Sequence, residues 1–132
     1  MSRLADAAVG AAIARAAIGA VGTRVRLHGR GAEGLDCVGL VALALRAGGY
    51  AGEVPTGYSL RGGDWGLLDR LLVRVADADA GDVLLMAAGP GQVHFGIRTT
   101  GGFVHADASL RSVVERPGQP PWPVLGVWRM EG

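Results

Sequence analysis

The chain has 132 residues, enough to bury one core without covalent staples. With 49% apolar and 19% charged residues it has the balance of a folded chain rather than a disordered one. A formal net charge of +1 supplies no field to draw in nucleic acid or an anionic membrane, and a single cysteine, Cys37, excludes an intrachain disulfide scaffold.

Residues 3–20 read as a helix. Alanine dominates, and Leu4, Ala8, Ala11 and Arg15 recur at helical spacing, with Ile18 continuing that side. Asp6 and Arg15 interrupt the apolar run, so it lacks the uninterrupted core of a signal peptide. Nothing in the chain approaches the ~20 apolar residues of a membrane span. The expectation is a protein made in the cytoplasm without a leader and with no membrane partner. Residues 22–35 carry Gly22, Gly29, Gly31 and Gly34 among Arg24, Arg26, His28 and Arg30, and read as an irregular basic connection. Its arginines and His28 read as solvated surface groups.

A second helix is expected from about Asp36 to Arg46. Cys37 to Leu45 is apolar all round, so this helix should be buried, and Gly48-Gly49 should end it. Residues 50–63 read as loop, and a short third helix is expected over Trp65–Leu72. From Gly81-Asp82 onward the pattern becomes that of strands: Val83–Ala87, Val93–Thr99, Phe103–Ala106, Val113–Arg116 and Gly126–Met130, divided by Gly- and Pro-rich turns. Asp82 reads as a turn residue, and Trp65, Trp122 and Trp128 as packing residues. Helices first and strands second imply a single α+β domain over 1–132, its central helix packed on an antiparallel sheet of about five strands.

The chemistry gathers around Cys37. With Asp36 as N-cap, Cys37 is the first helical residue, where free backbone N–H groups and the helix dipole stabilise a thiolate and could hold an oxyanion. A lowered thiol pKa is therefore expected. If the Thr99–Gly102 turn closes a hairpin, Arg98 faces Phe103, Ile97 faces Val104, Gly96 faces His105 and His94 faces Asp107. That register puts His94, His105 and Asp107 on one face, with Val93, Phe95, Ile97 and Val104 on the other. Cys37 as nucleophile, His94 as base and a third group to fix the tautomer of His94 make a triad, with His105 and Asp107 both placed for the third role.

The succession Asp36-Cys37-Val38-Gly39-Leu40, Gly81-Asp82-Val83-Leu84, His94-Phe95-Gly96-Ile97 and Val104-His105-Ala106 resembles the NlpC/p60 cell-wall cysteine peptidases over nearly the whole chain. The resemblance implies a papain-like fold, Cys37 as nucleophile, His94 as general base, His105 as orienting residue and Asp36 in recognition of the substrate amine. It implies hydrolysis of a peptidoglycan stem-peptide amide, often between D-glutamate and a diamino acid, with no cofactor. The Asp-Cys-hydrophobic-Gly-Leu form resembles the branch encoded with phage tails and gene transfer agents, which implies tail or baseplate partners and a protein that acts on the wall from a tail. Two positions depart from the family pattern. The stretch Gly22-Thr23-Arg24-Val25 lacks a tyrosine, and Val38 stands where a serine is common. Two further readings stay open: a structural tail component with weakened activity, and a zinc site of Cys37, His94, His105 and Asp107.

Overall fold

The computed structural model describes residues 3–27, 29–31, 33–52 and 66–130. His28, Trp65 and most of the loop expected over 50–63 lie outside the described residues. The elements are α1 (Arg3–Gly19), β1 (Arg30–Gly31), β2 (Gly34–Leu35), α2 (Cys37–Ala47), α3 (Gly66–Leu71), β3 (Val73–Arg74), β4 (Val83–Gly89), β5 (Gln92–Arg98), β6 (Gly102–Asp107), β7 (Ser112–Pro117) and β8 (Val124–Arg129).

The helices fall where alanine content, the Asp36 cap and the glycine stops place them. Asp36 is extended, and its Oδ1 accepts the Gly39 N–H at 2.7 Å, so the first turn of α2 is capped inside the protein. The buried side of α1 differs from the expected stripe. Ile13, Ala14 and Ala17 are buried, as is Ala20 just past its end, whereas Ala8, Arg15 and Ile18 face solvent. Alanine fits either side of a helix, and the bulk of Ile13 against Gly48 decides which side turns inward. The segment before α2 is not wholly irregular: β1 and β2 pair, Val25 bridges Leu35, and Arg24 bridges Ser112 beside β7.

The main sheet has six antiparallel strands in the order β3-β8-β4-β5-β6-β7. The strand beyond the five expected is β3, whose two residues are too few for alternation to be read. One sheet face, with Val83, Leu85, Phe95, Ile97, Val104 and Val113, packs with α2 through Leu40, Val41, Ala44 and Leu45. The opposite face is also covered. Leu84, Met86, Phe103 and Val127 form a second cluster, against which Val75, Ala78 and Trp122 pack. Segments 75–80 and 118–123 supply that cover. The face carrying the histidines is therefore not the polar surface that alternation alone suggests.

Asp82 does more than close a turn. Its carboxylate accepts the Asp79 N–H at 2.7 Å and two Arg129 N–H groups, Nε at 3.0 Å and Nη2 at 2.7 Å. It is 2% exposed and ties the start of β4 to the end of β8. Asp82→Ala should lower unfolding free energy by about 2–4 kcal/mol in urea titrations, since it strands a guanidinium and a backbone donor. A loss under about 1 kcal/mol would show the pair to be dispensable.

Candidate active site

The β5–β6 ladder has the register read from the hairpin: Arg98 with Phe103, Ile97 with Val104, Gly96 with His105. It stops there. His94 stays paired with Met86 on β4, and Asp107 with Ser112 on β7. The two strands part beyond the Gly96–His105 pair, so the expected His94–Asp107 pair does not form. Glycine suits position 96, where a Cβ would press on the Val104 carbonyl at 3.0 Å and the Met86 methyl at 3.1 Å.

His94 reaches across the parting to His105. Nε2 of His94 lies 3.0 Å from Nδ1 of His105, with the rings nearly perpendicular at 87°. One nitrogen must donate and the other accept, so the two tautomers are locked together. With the proton on Nε2 of His94, its Nδ1 keeps a bare lone pair, as a general base requires. His105 then holds its own proton on Nε2. That atom is buried without a hydrogen-bond partner among the described residues, and Oδ2 of Asp107 stands 4.0 Å away. Of the two candidates for orienting His94, His105 makes the contact. Asp107 stands behind His105, its Oδ1 accepting the Leu110 N–H at 3.1 Å.

Both imidazoles are held neutral. Burial pushes His94 down to about 4, and neighbouring His105 pushes the same way against the pull of Asp107. Burial also lowers His105, with Asp107 raising it and Arg116 lowering it. His105 is 2% exposed, between Phe103 and Trp122.

Cys37 is a free thiol, 4% exposed. The backbone N–H of Phe95 bonds its sulfur and favours the thiolate, and the N–H groups of Val38 and Cys37 at the helix start act in the same direction. The thiol thus meets β5 through the backbone of the residue that follows His94, next to where β6 diverges. The expected low thiol pKa is not found. Burial pushes it up to about 11, the Asp36 carboxylate adds to that, and the three N–H groups do not offset it. A helix N-terminus favours a thiolate, but withdrawal from water disfavours it more. Asp36, expected at a substrate amine, is 6% exposed and has one oxygen on the Gly39 amide.

Trp122, expected as a packing residue, is set against both histidines. Its ring centroid lies 6.0 Å from that of His94 and 5.5 Å from that of His105, edge-on to each. The sequence signal was its place between Pro121 and Pro123, which fixes the backbone around it. Trp128 is the packing residue expected, 2% exposed with its indole N–H on Asp69. Among the described residues no three of His, Cys, Asp and Glu converge to hold a metal ion, so the zinc reading has no geometric support. No described helix is long and apolar enough to cross a membrane.

Neither a protein-family model nor a curated protein sequence matches the chain. Solved structures do. NlpC2 from Trichomonas vaginalis is similar with a TM-score of 0.72 and 19% identity, over 92% of this chain and 46% of that one. RipB, a peptidoglycan hydrolase from Mycobacterium tuberculosis, gives a TM-score of 0.67 and 23% identity over 100% and 69%. The NlpC/p60 domain of the peptidoglycan hydrolase SagA gives 0.61 and 25% over 82% and 88%. The chain spans less than half the length of NlpC2. Its fold is the papain-like α+β fold of NlpC/p60 domains.

The buried neutral groups set two pH dependences. Alkylation of Cys37 by iodoacetamide should keep rising above pH 9 with a midpoint near 11, and a midpoint at or below ~8.5 would overturn this picture. Stability should be full above the unfolded histidine value of ~6.5 and fall as pH drops toward 4, because in that window the unfolded chain binds protons that folded His94 and His105 refuse. Melting temperatures across this range, compared with a His94→Asn/His105→Asn variant whose dependence should be flatter, test the second.

Proposed function

We propose that this chain is a peptidoglycan hydrolase that cleaves a stem-peptide amide, such as the bond between D-glutamate and a diamino acid, with Cys37 as nucleophile. The observation that carries the reading is the 3.0 Å contact of His94 Nε2 with His105 Nδ1, on a strand whose next residue, Phe95, hydrogen-bonds the Cys37 sulfur. A base held in one tautomer, on the strand whose backbone bonds a helix-start thiol, supplies two of the parts that acyl transfer needs. The similar SagA and RipB structures, both of peptidoglycan hydrolases, supply the substrate class.

In this reading the Cys37 sulfur attacks the amide carbonyl while its proton passes to Nδ1 of His94. Backbone N–H groups at the start of α2 receive the oxyanion. His94 then returns the proton to the leaving amine, and a thioester remains on Cys37. Water, deprotonated by His94, attacks the thioester and releases the acid and the free thiol. His105 keeps His94 in register throughout. Asp36 caps α2 and sets the first turn that carries Cys37. Delivery on a phage-like tail is part of this proposal, with baseplate proteins as partners.

A second reading has specific support. A thiol at about 11 and Val38 in place of the common serine fit a tail component that kept the fold and lost most of its turnover. Purified peptidoglycan, incubated with the protein and analysed by mass spectrometry of released fragments, separates the two. Cys37→Ala and His94→Ala should release nothing. His105→Asn should retain a measurable fraction, since loss of the acid–base step costs ~10²–10⁴-fold and loss of an orienting group is partly covered by water. Wild-type protein that releases no fragment from any peptidoglycan would leave the structural reading standing.

A further inference from the structure

Trp122 is set against both histidines of the pair. Its indole lies edge-on to His94 at 79° and to His105 at 73°, and it also meets Phe103, 6.2 Å between centroids. Such perpendicular contacts within ~7 Å are favourable and directional. The chain is built to hold the indole there. Pro121 and Pro123 restrict the backbone on either side. The Pro123 carbonyl accepts the Ala87 N–H at 2.9 Å, pinning the segment to β4 next to Met86, the partner of His94. The β4–β8 register then slips between Leu85–Gly126 and Met86–Val124, a bulge that turns the incoming chain across the histidine face. On its other side Trp122 carries the Arg116 guanidinium, 5.6 Å from the ring centre.

We propose that Trp122 is a positioning residue for the His94–His105 pair: its indole walls both imidazoles from water and keeps the Nε2–H tautomer of His94, leaving Nδ1 bare. The proposal rests on His94 being the base of the proposed hydrolase, but its first test does not require turnover. The titratable and charged groups that act on the pair, among the described residues, are Asp107 on β6 and Arg116 on β7; β4 brings Leu84 and Met86, which do not titrate. Trp122 is the neutral wall. Without it, water reaches both rings, favours their charged forms and competes for the bond between them.

Long-range ¹⁵N NMR of the imidazoles in the full chain reads tautomer and titration directly. Wild type should give a neutral Nε2–H His94 that titrates near 4. Trp122→Ala should raise that midpoint by roughly one unit or more toward the ordinary ~6.5 and mix the tautomers, while Trp122→Phe should keep most of the wild-type behaviour. If alanine unfolds the chain, Trp122→Leu retains apolar bulk without a ring and should give the same shift. A folded ringless variant with unchanged titration and tautomer overturns the proposal. On peptidoglycan, the acid limb of kcat/KM should rise with the His94 midpoint in the same variants. Imidazole shifts in a protein whose wild type hydrolyses nothing would uphold the role of Trp122 and count against the hydrolase reading.

Discussion

The packing of α2 against the sheet governs the rest. Leu40, Val41, Ala44 and Leu45 leave the helix no stable place except inside, and the core face of the sheet receives it at β5 and β6. A buried helix brings its N-terminus with it, and that end carries unpaired N–H groups which must be satisfied without water. Asp36 satisfies one from within the cap, and the Cys37 sulfur lies among others. The thiol gains hydrogen bonds and loses solvent in the same act. Its raised pKa follows from the burial that put it beside β5.

The sheet answers the same constraint from the other side. β5 and β6 remain paired only through Gly96 and His105, and the His94–His105 bond continues across the gap where backbone pairing has stopped. A hydrogen bond between imidazoles in an apolar setting is worth more than one in water, and an unmet partner costs correspondingly more. That explains the second cluster beneath it. Phe103, Met86 and Trp122 exclude the water that would otherwise compete for those ring nitrogens. The bulge in β8 and the prolines beside Trp122 serve that exclusion, and Asp82 with Arg129 holds β4 and β8 at the far end of the same pairing.

Much of this was legible from residues. The Asp36 cap, the buried run from Cys37 to Leu45 and the hairpin register through Gly96 and His105 all follow from local chemistry, and the structure has them. The failures were of a different kind. Alanine gives no preference of face, so the buried side of α1 is not legible from it. Alternation in β5 and β6 marks two faces but cannot say that both are covered, because the cover comes from residues 75–80 and 118–123, distant in sequence. The His94–Asp107 pair is absent because the strands part after Gly96 and His105, a point that no residue type marks. The thiol pKa failed because a sequence displays the helix N-terminus but not the depth at which it ends up.

Those depths set the terms for any chemistry here. With Cys37 at about 11 and His94 at about 4, the resting site holds a neutral thiol and a neutral imidazole. Values separated by roughly seven mean that an isolated proton transfer between them costs about 10 kcal/mol at ~1.4 kcal/mol per unit. Mutual attraction of the resulting charges in a dry site recovers part of that. The rest has to come from the substrate. A carbonyl seated on the helix-start N–H groups accepts the sulfur's developing charge as the proton leaves, so no free thiolate need form before attack. Asp107 behind His105 then matters most at the moment His94 becomes positive, when the bonded rings share that charge and the carboxylate 4.0 Å from His105 Nε2 faces it. A site arranged this way stays unreactive toward incidental electrophiles and acts only on a ligand that can close the gap by binding.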